Sequence, residues 1–269
     1  MGFEWTAIRA LMRRDLAAIR RSRAIMLPMI MVPTMMLVLV PASVSWLARG
    51  ADPSNATRLL GSLPESLAEP INALPPDERL IVLVNQYMLA PLFLIVPLMV
   101  SAVLAADAFA GEKERKTLES LLHLPIRERD IYVSKLLTAF IPAVMVSWIG
   151  FIGFALVVNS ITWSVVERIL VPDLAWVILI LWVAPATAAL GLGVMIWVSA
   201  RSRNTQEANQ LGGAVVLPLL FLVIAQSTGL LVAPPSVALI LGAFVWMGAL
   251  VLARRGAKKF TRDRLAAQV

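Results

Sequence analysis

Six long stretches of the chain, 24–47, 80–106, 136–158, 174–199, 210–231 and 237–253, contain no Asp, Glu, Lys, Arg or His. Together they hold more than half of the 269 residues, and every charge lies between or outside them. An α-helix needs roughly 20 apolar residues to cross a hydrocarbon layer about 30 Å thick, and inside lipid its backbone must satisfy its own hydrogen bonds. The pattern predicts an all-α membrane protein with six transmembrane helices, one on each stretch, making a membrane domain over 24–253. Residues 48–79 form the largest segment on one side, 107–135 a loop on the other, and 254–269 a basic tail.

Two shorter segments carry helical periodicity of a different kind. In 4–21, Trp5, Ile8, Met12, Leu16 and Ile19 recur at spacings of three and four, while Arg9, Arg13, Arg14, Arg20 and Arg21 fill the remaining faces. A basic amphipathic helix that leads straight into a span belongs in the membrane interface, so 1–23 reads as an interface helix in contact with lipid. It serves either as an anchor beside the first span or as a dock for a partner. In 48–79, Pro53, Pro64, Pro70, Pro75 and Pro76 exclude a long helix. Leu59, Leu60, Leu63, Leu67, Ile71 and Leu74 still keep near-helical spacing, which predicts two short amphipathic helices, either a lid or a surface that reads substrate. Prolines also punctuate the spans, at 28, 33, 41, 91, 97, 142, 185 and 218, and Gly191, Gly193, Gly212 and Gly213 permit close helix approach.

Composition agrees: 59% of residues are hydrophobic and 15% charged, outside the range of soluble domains. The net charge of +7 is a matter of topology. Segments 1–23, 107–135, 200–209 and 254–269 carry 20 of the 24 Lys and Arg, which by the positive-inside rule makes them and both termini cytoplasmic. Nucleic acid is not an expected partner. With no cysteine and one histidine, His123, the chain has no thiolate or multi-histidine metal site. The first apolar run is too long, and too far from the start, to be a cleaved signal peptide.

The spans hold no carboxylate or basic group, at least one of which a proton- or ion-coupled carrier normally keeps within the membrane. Their polar residues are a few amides and hydroxyls such as Gln226, Ser147 and Thr187, and Gln226 suits an interhelical hydrogen bond rather than a ligand site. No paired carboxylates or histidines suggest a hydrolase, and no phosphate-binding loop of the G-x-x-x-x-G-K-[ST] type is present. No enzymatic activity and no cofactor are expected of this chain.

The loop 107–135 is different in character, with six acidic and six basic residues. Leu118, Leu121 and Leu122 form an apolar stripe, Glu112 with Lys116 and Arg115 with Glu119 are spaced to pair, and Pro125 ends the helix near Leu124. A short amphipathic helix held just off the membrane suits a groove on a cytoplasmic partner. Equally, its leucines can pack back on the bundle.

Gly111-Glu-Lys-Glu-Arg-Lys-Thr-Leu-Glu-Ser-Leu-Leu122, followed by Pro125-Ile126 and Lys135, resembles the loop after the second span in the type-2 ABC exporter permeases. Glu112 and Glu114 match that family's acidic pair, Thr117-Leu118-Glu119 its core, Leu121, Leu122 and Pro125 its hydrophobic end, and Lys135 the lysine that opens the third span. Lys116 and Ser134 stand where the family most often has glycine. The long segment between the first and second spans is similar to the sodium-exporter-like and copper-enzyme-maturation branches.

The resemblance implies a permease subunit of an ATP-driven exporter in a bacterial-type plasma (inner) membrane, with 107–135 as a coupling helix. Glu112, Glu114, Arg115, Thr117, Leu118, Glu119, Leu121 and Leu122 would dock on a separate ABC-type ATP-binding subunit, which holds ATP and Mg. A second permease copy or paralogue would complete the assembly. Two other functions fit the residues: a carrier or channel independent of any ATPase, and an assembly or maturation factor that uses an ATPase partner.

Overall fold

The computed structural model describes residues 3–61, 65–111, 126–199 and 235–259, and among these the secondary structure is helical, without strands. Helix α1 (Trp5–Arg21) ends where Ser22 adopts an extended backbone, φ −83° and ψ 104°, which breaks the chain direction before the first span. That span comprises α2 (Arg23–Thr34), a π-helical turn (Met35–Leu39) and α3 (Val40–Arg49). After α4 (Pro53–Leu60) and α5 (Glu65–Asn72), the second span runs through α6 (Pro76–Val82), a π-turn (Leu83–Met88) and α7 (Leu92–Ala106), and ends in a π-turn (Asp107–Gly111). Helix α8 (Glu128–Val166) is the third span. The fourth joins α9 (Leu174–Ile178), a π-turn (Leu179–Val183) and α10 (Ala184–Ser199), and α11 (Pro235–Lys259) is the last described helix. Five described helices are long and apolar enough to cross a membrane; the predicted span 210–231 lies outside the described residues.

Three of the four π-turns have one physical cause. A proline removes a backbone donor and its ring clashes with the carbonyl four residues earlier, so the helix widens there. The residues four before Pro41, Pro91 and Pro185 are Leu37, Tyr87 and Leu181, each inside a π-turn. Pro28, Pro33, Pro97 and Pro142 are accommodated within α-helix.

The second and fourth spans form the centre of the bundle. Helix α10 packs most extensively on α7 and α11, while α8 packs on α7 and on the first span. The glycines of α10 explain the closeness on both sides. A Cβ on Gly191 would stand 2.8 Å from the Leu98 carbonyl of α7, and one on Gly193 would stand 2.9 Å from the Leu252 Cβ of α11. Between α7, α8 and α9, the rings of Phe93, Phe151, Phe154 and Trp176 lock together, with centroids 4.7 to 6.1 Å apart. The buried Ser45 hydroxyl donates to the Asn85 side-chain carbonyl (2.8 Å), tying the first span to the second.

Two features differ from the simple reading of the pattern. Helix α8 has 39 residues, about 58 Å at 1.5 Å per residue, so it reaches well beyond a bilayer core. The buried face of α1 is Ile8, Leu11 and Ile19, with Trp5 more than half exposed, because that helix packs against the start of α8. At the opposite end of the bundle, α4 and α5 fold over the start of the second span, and Leu60, Ala68 and Ile71 pack with Leu83. Asp52 opens α4: its Oδ1 accepts from the Ser54 amide at 2.8 Å, which holds the carboxyl below its ordinary value.

Candidate functional site

The predicted docking residues Glu112, Glu114, Arg115, Thr117, Leu118, Glu119, Leu121 and Leu122 lie outside the described residues, as do Lys116, His123 and Pro125. The two roots of their segment are described, and they are built from three spans. Lys135, 1% exposed, sends its Nζ back to the carbonyl of Ala108 in the terminal π-turn of the second span (2.9 Å). The same amine lies 5.9 Å from the centroid of the Phe109 ring, within cation–π range. Phe109 in turn meets Tyr132 edge-on at 6.1 Å.

Tyr132 carries the connection to a third element. Its hydroxyl donates to the Ala253 carbonyl of α11 at 2.9 Å. Gly256 makes room for it, since a Cβ there would fall on the Tyr132 hydroxyl. One turn of α8 therefore grips the end of the second span with Lys135 and the end of α11 with Tyr132. The first turn of α8 is acidic, with Glu128 and Asp130, which suits the partial positive charge of a helix N-terminus. Helix α1 packs on the same end of α8.

Lys135, which the family resemblance matched only by position, is thus the element that joins the two roots. Ser134, where that family most often has glycine, is 1% exposed and donates to the Ile131 carbonyl at 2.7 Å. A buried hydroxyl satisfied within its own helix costs little. Tyr132, Phe109 and Gly256 were not marked as functional by the sequence. The one available signal was a tyrosine three residues before a lysine, at the threshold of an apolar stretch.

The opposite end holds a second polar cluster. Asn159 of α8 accepts from the amides of Leu170 (2.8 Å) and Val171 (3.2 Å) and donates to the Val171 carbonyl, fixing the connection from α8 to α9. Asp173 caps α9 by accepting from the Trp176 amide at 2.9 Å, and Arg168 pairs with Glu78 of α6. Of the polar residues expected in the spans, Thr187 donates to the Ala184 carbonyl and Ser147 is fully buried; Gln226 lies outside the described residues. Among the described residues no cluster of ligating side chains is suited to a metal.

A bundle of long apolar helices with its charges confined to their ends defines a multi-pass integral membrane protein. More particularly, residues 9–250 match the family described as ABC-2 family transporter protein, and the chain belongs to that family. Members are membrane subunits, generally not catalytic themselves, and generally work with ATP-binding subunits. No curated protein matches the chain as a relative.

Proposed function

We propose that this chain is the permease subunit of an ATP-driven exporter, resident in a bacterial-type plasma (inner) membrane with both termini cytoplasmic. The segment 107–135 is its coupling element. Glu112, Glu114, Arg115, Thr117, Leu118, Glu119, Leu121 and Leu122 contact a separate ATP-binding subunit, where ATP and Mg are held and hydrolysed. The chain itself supplies no cofactor and no catalytic group, and two permeases, identical or paralogous, form the path.

The observation that carries this reading is the grip of α8 on its neighbours at the root of that segment. A push on 112–125 reaches Lys135 and Tyr132 and, through the Ala108 and Ala253 carbonyls, the second span and α11 together. Because packed interiors shift between discrete arrangements, such a push appears as rigid-body tilting of spans. The concentration of Lys and Arg in segments 1–23, 107–135, 200–209 and 254–269 supports the cytoplasmic placement.

The test is the double substitution Leu118→Glu, Leu121→Glu in the tagged chain, co-expressed with its ATPase. The expected outcome is loss of a stoichiometric ATP-binding protein on purification and loss of nucleotide-driven transport, with the thermal unfolding of the spans unchanged. Undiminished ATPase capture and transport would overturn the docking assignment. Transport by the purified chain alone, without nucleotide, would replace the exporter reading with a carrier.

A further inference from the structure

At the end of the bundle opposite α1, a cavity of about 290 Å³ opens between α5, the second span and the connection from α8 to α9. Its apolar wall is Ile71, Leu74, Val82 and Leu170, and its polar wall is Gln86, Tyr87, Arg168 and Asp173. The volume is at the small end of ligand pockets, and a mixed lining of this kind suits a molecule with one apolar and one polar part.

The charge of the cavity identifies the polar part. Arg168 is the one cation among the lining residues, and Glu78 already neutralises it. Asp173 has no ion-pair partner among the described residues; one of its oxygens is engaged by the Trp176 amide, a neutral donor. Tyr87 places an aromatic ring in the same wall, the surface on which cations stack. The surroundings reinforce the sign: residues 48–79 and 159–173 hold seven carboxylates against four arginines. The excess of negative charge in these segments favours the approach of cations to that side of the bundle.

We propose that this cavity binds a small monocationic amphiphile, a hydrophobic amine or quaternary ammonium. Its cation lies against Asp173 and Tyr87 and its apolar part against Ile71, Leu74 and Val82. The site is rigid by construction, because Asn159 fixes Leu170 and Val171 from behind while α5 and the second span close the other side. The proposal does not rest on the exporter reading, since binding is measured on the chain without nucleotide or ATPase.

The experiment uses the full chain in nanodiscs of zwitterionic lipid, photolabelled with a diazirine-bearing alkyltrimethylammonium. Mass spectrometry then locates the label. Labelling is expected within 70–87 and 168–173, and to be displaced by octyltrimethylammonium but not by octyl sulfate. Asp173→Asn is the informative variant, because asparagine caps a helix as well as aspartate does while removing the charge. It should reduce specific labelling by about tenfold or more, the order expected of one close ion pair in a partly sheltered site. Arg168→Gln, which leaves Glu78 unpaired, should increase it. Labelling that is unchanged in Asp173→Asn, equally displaced by octyl sulfate, or spread along the spans would overturn the proposal. A fall in labelling with loss of the wild-type unfolding temperature in Asp173→Asn, but not in Asp173→Ser, would assign the residue to the cap alone and also overturn it.

Discussion

Replacing Lys135 with methionine removes the amine that joins the two roots of the 112–125 segment while keeping an unbranched stem of similar length. The side chain is 1% exposed, and its Nζ lies 2.9 Å from the Ala108 carbonyl. A hydrogen bond that involves a charged group contributes about 1.5–3 kcal/mol, whereas burying that group carries a desolvation cost which methionine avoids. The two effects oppose each other in the global stability, so the unfolding temperature of Lys135→Met should move little. Locally they do not oppose: once the terminal π-turn of the second span is released, its opening should become more frequent by about 10- to 150-fold, the equivalent of 1.5–3 kcal/mol. Amide exchange in nanodiscs, followed by mass spectrometry, reads this directly in peptides covering 104–111. With the ATPase present, nucleotide-driven transport should fall while ATPase capture is retained, because docking residues are untouched. Lys135→Ala should do both and also lower stability by about 2–4 kcal/mol, through the cavity left by the stem. Exchange in 104–111 unchanged in Lys135→Met, with transport intact, would refute the idea that Lys135 couples the roots.

The glycines offer a stability test. Gly191→Ala places a Cβ 2.8 Å from a backbone carbonyl that cannot turn aside, and should cost about 1–3 kcal/mol; Gly248→Ala, whose Cβ would meet only Leu190 at 3.5 Å, should be neutral or slightly stabilising. Thermal unfolding of the two purified variants in detergent checks the order, and equal effects would contradict the packing of α10 on α7. Asp52 provides a pH test. Its carboxyl is depressed by the Ser54 amide, so its support of α4 is fully present above the ordinary carboxylate value of 3.8 and is lost as pH falls through the lower folded value. Protection of the amides over 54–57, measured relative to their intrinsic exchange at each pH, should therefore fall at acid pH in the native chain but remain constant in Asp52→Ser, where a hydroxyl caps without titrating.

Much of this molecule is legible in one dimension, and for a clear reason. A charge in hydrocarbon is so costly that its absence over some 20 residues marks a span more surely than any propensity, and 24–47, 80–106, 174–199 and 237–253 all fall largely within long helices. The glycines at 191 and 193 likewise announced close approach, because few other reasons place two small residues so near in a span. The candidate site was legible only in outline. Its charged residues and leucine stripe can be read from residues 111–122, but the contacts at its roots are made by Lys135, Tyr132, Ala108, Ala253 and Gly256, contributed by three spans far apart in sequence.

What the chain alone determined is the partition between membrane and water. It did not determine which apolar surface meets protein and which meets lipid, because a leucine or tryptophan is equally at home against either. Trp5 and Ile8 share the apolar face that spacing gives α1, yet Ile8 is buried against protein and Trp5 is exposed, while Leu11, outside that face, is buried. Only the tertiary structure made the second and fourth spans central, extended α8 past the bilayer, and turned Lys135 inward to the Ala108 carbonyl. Periodicity records the preference of one helix for a medium. The partners within that medium are chosen by shape, by small residues and by the few polar groups that must find one another.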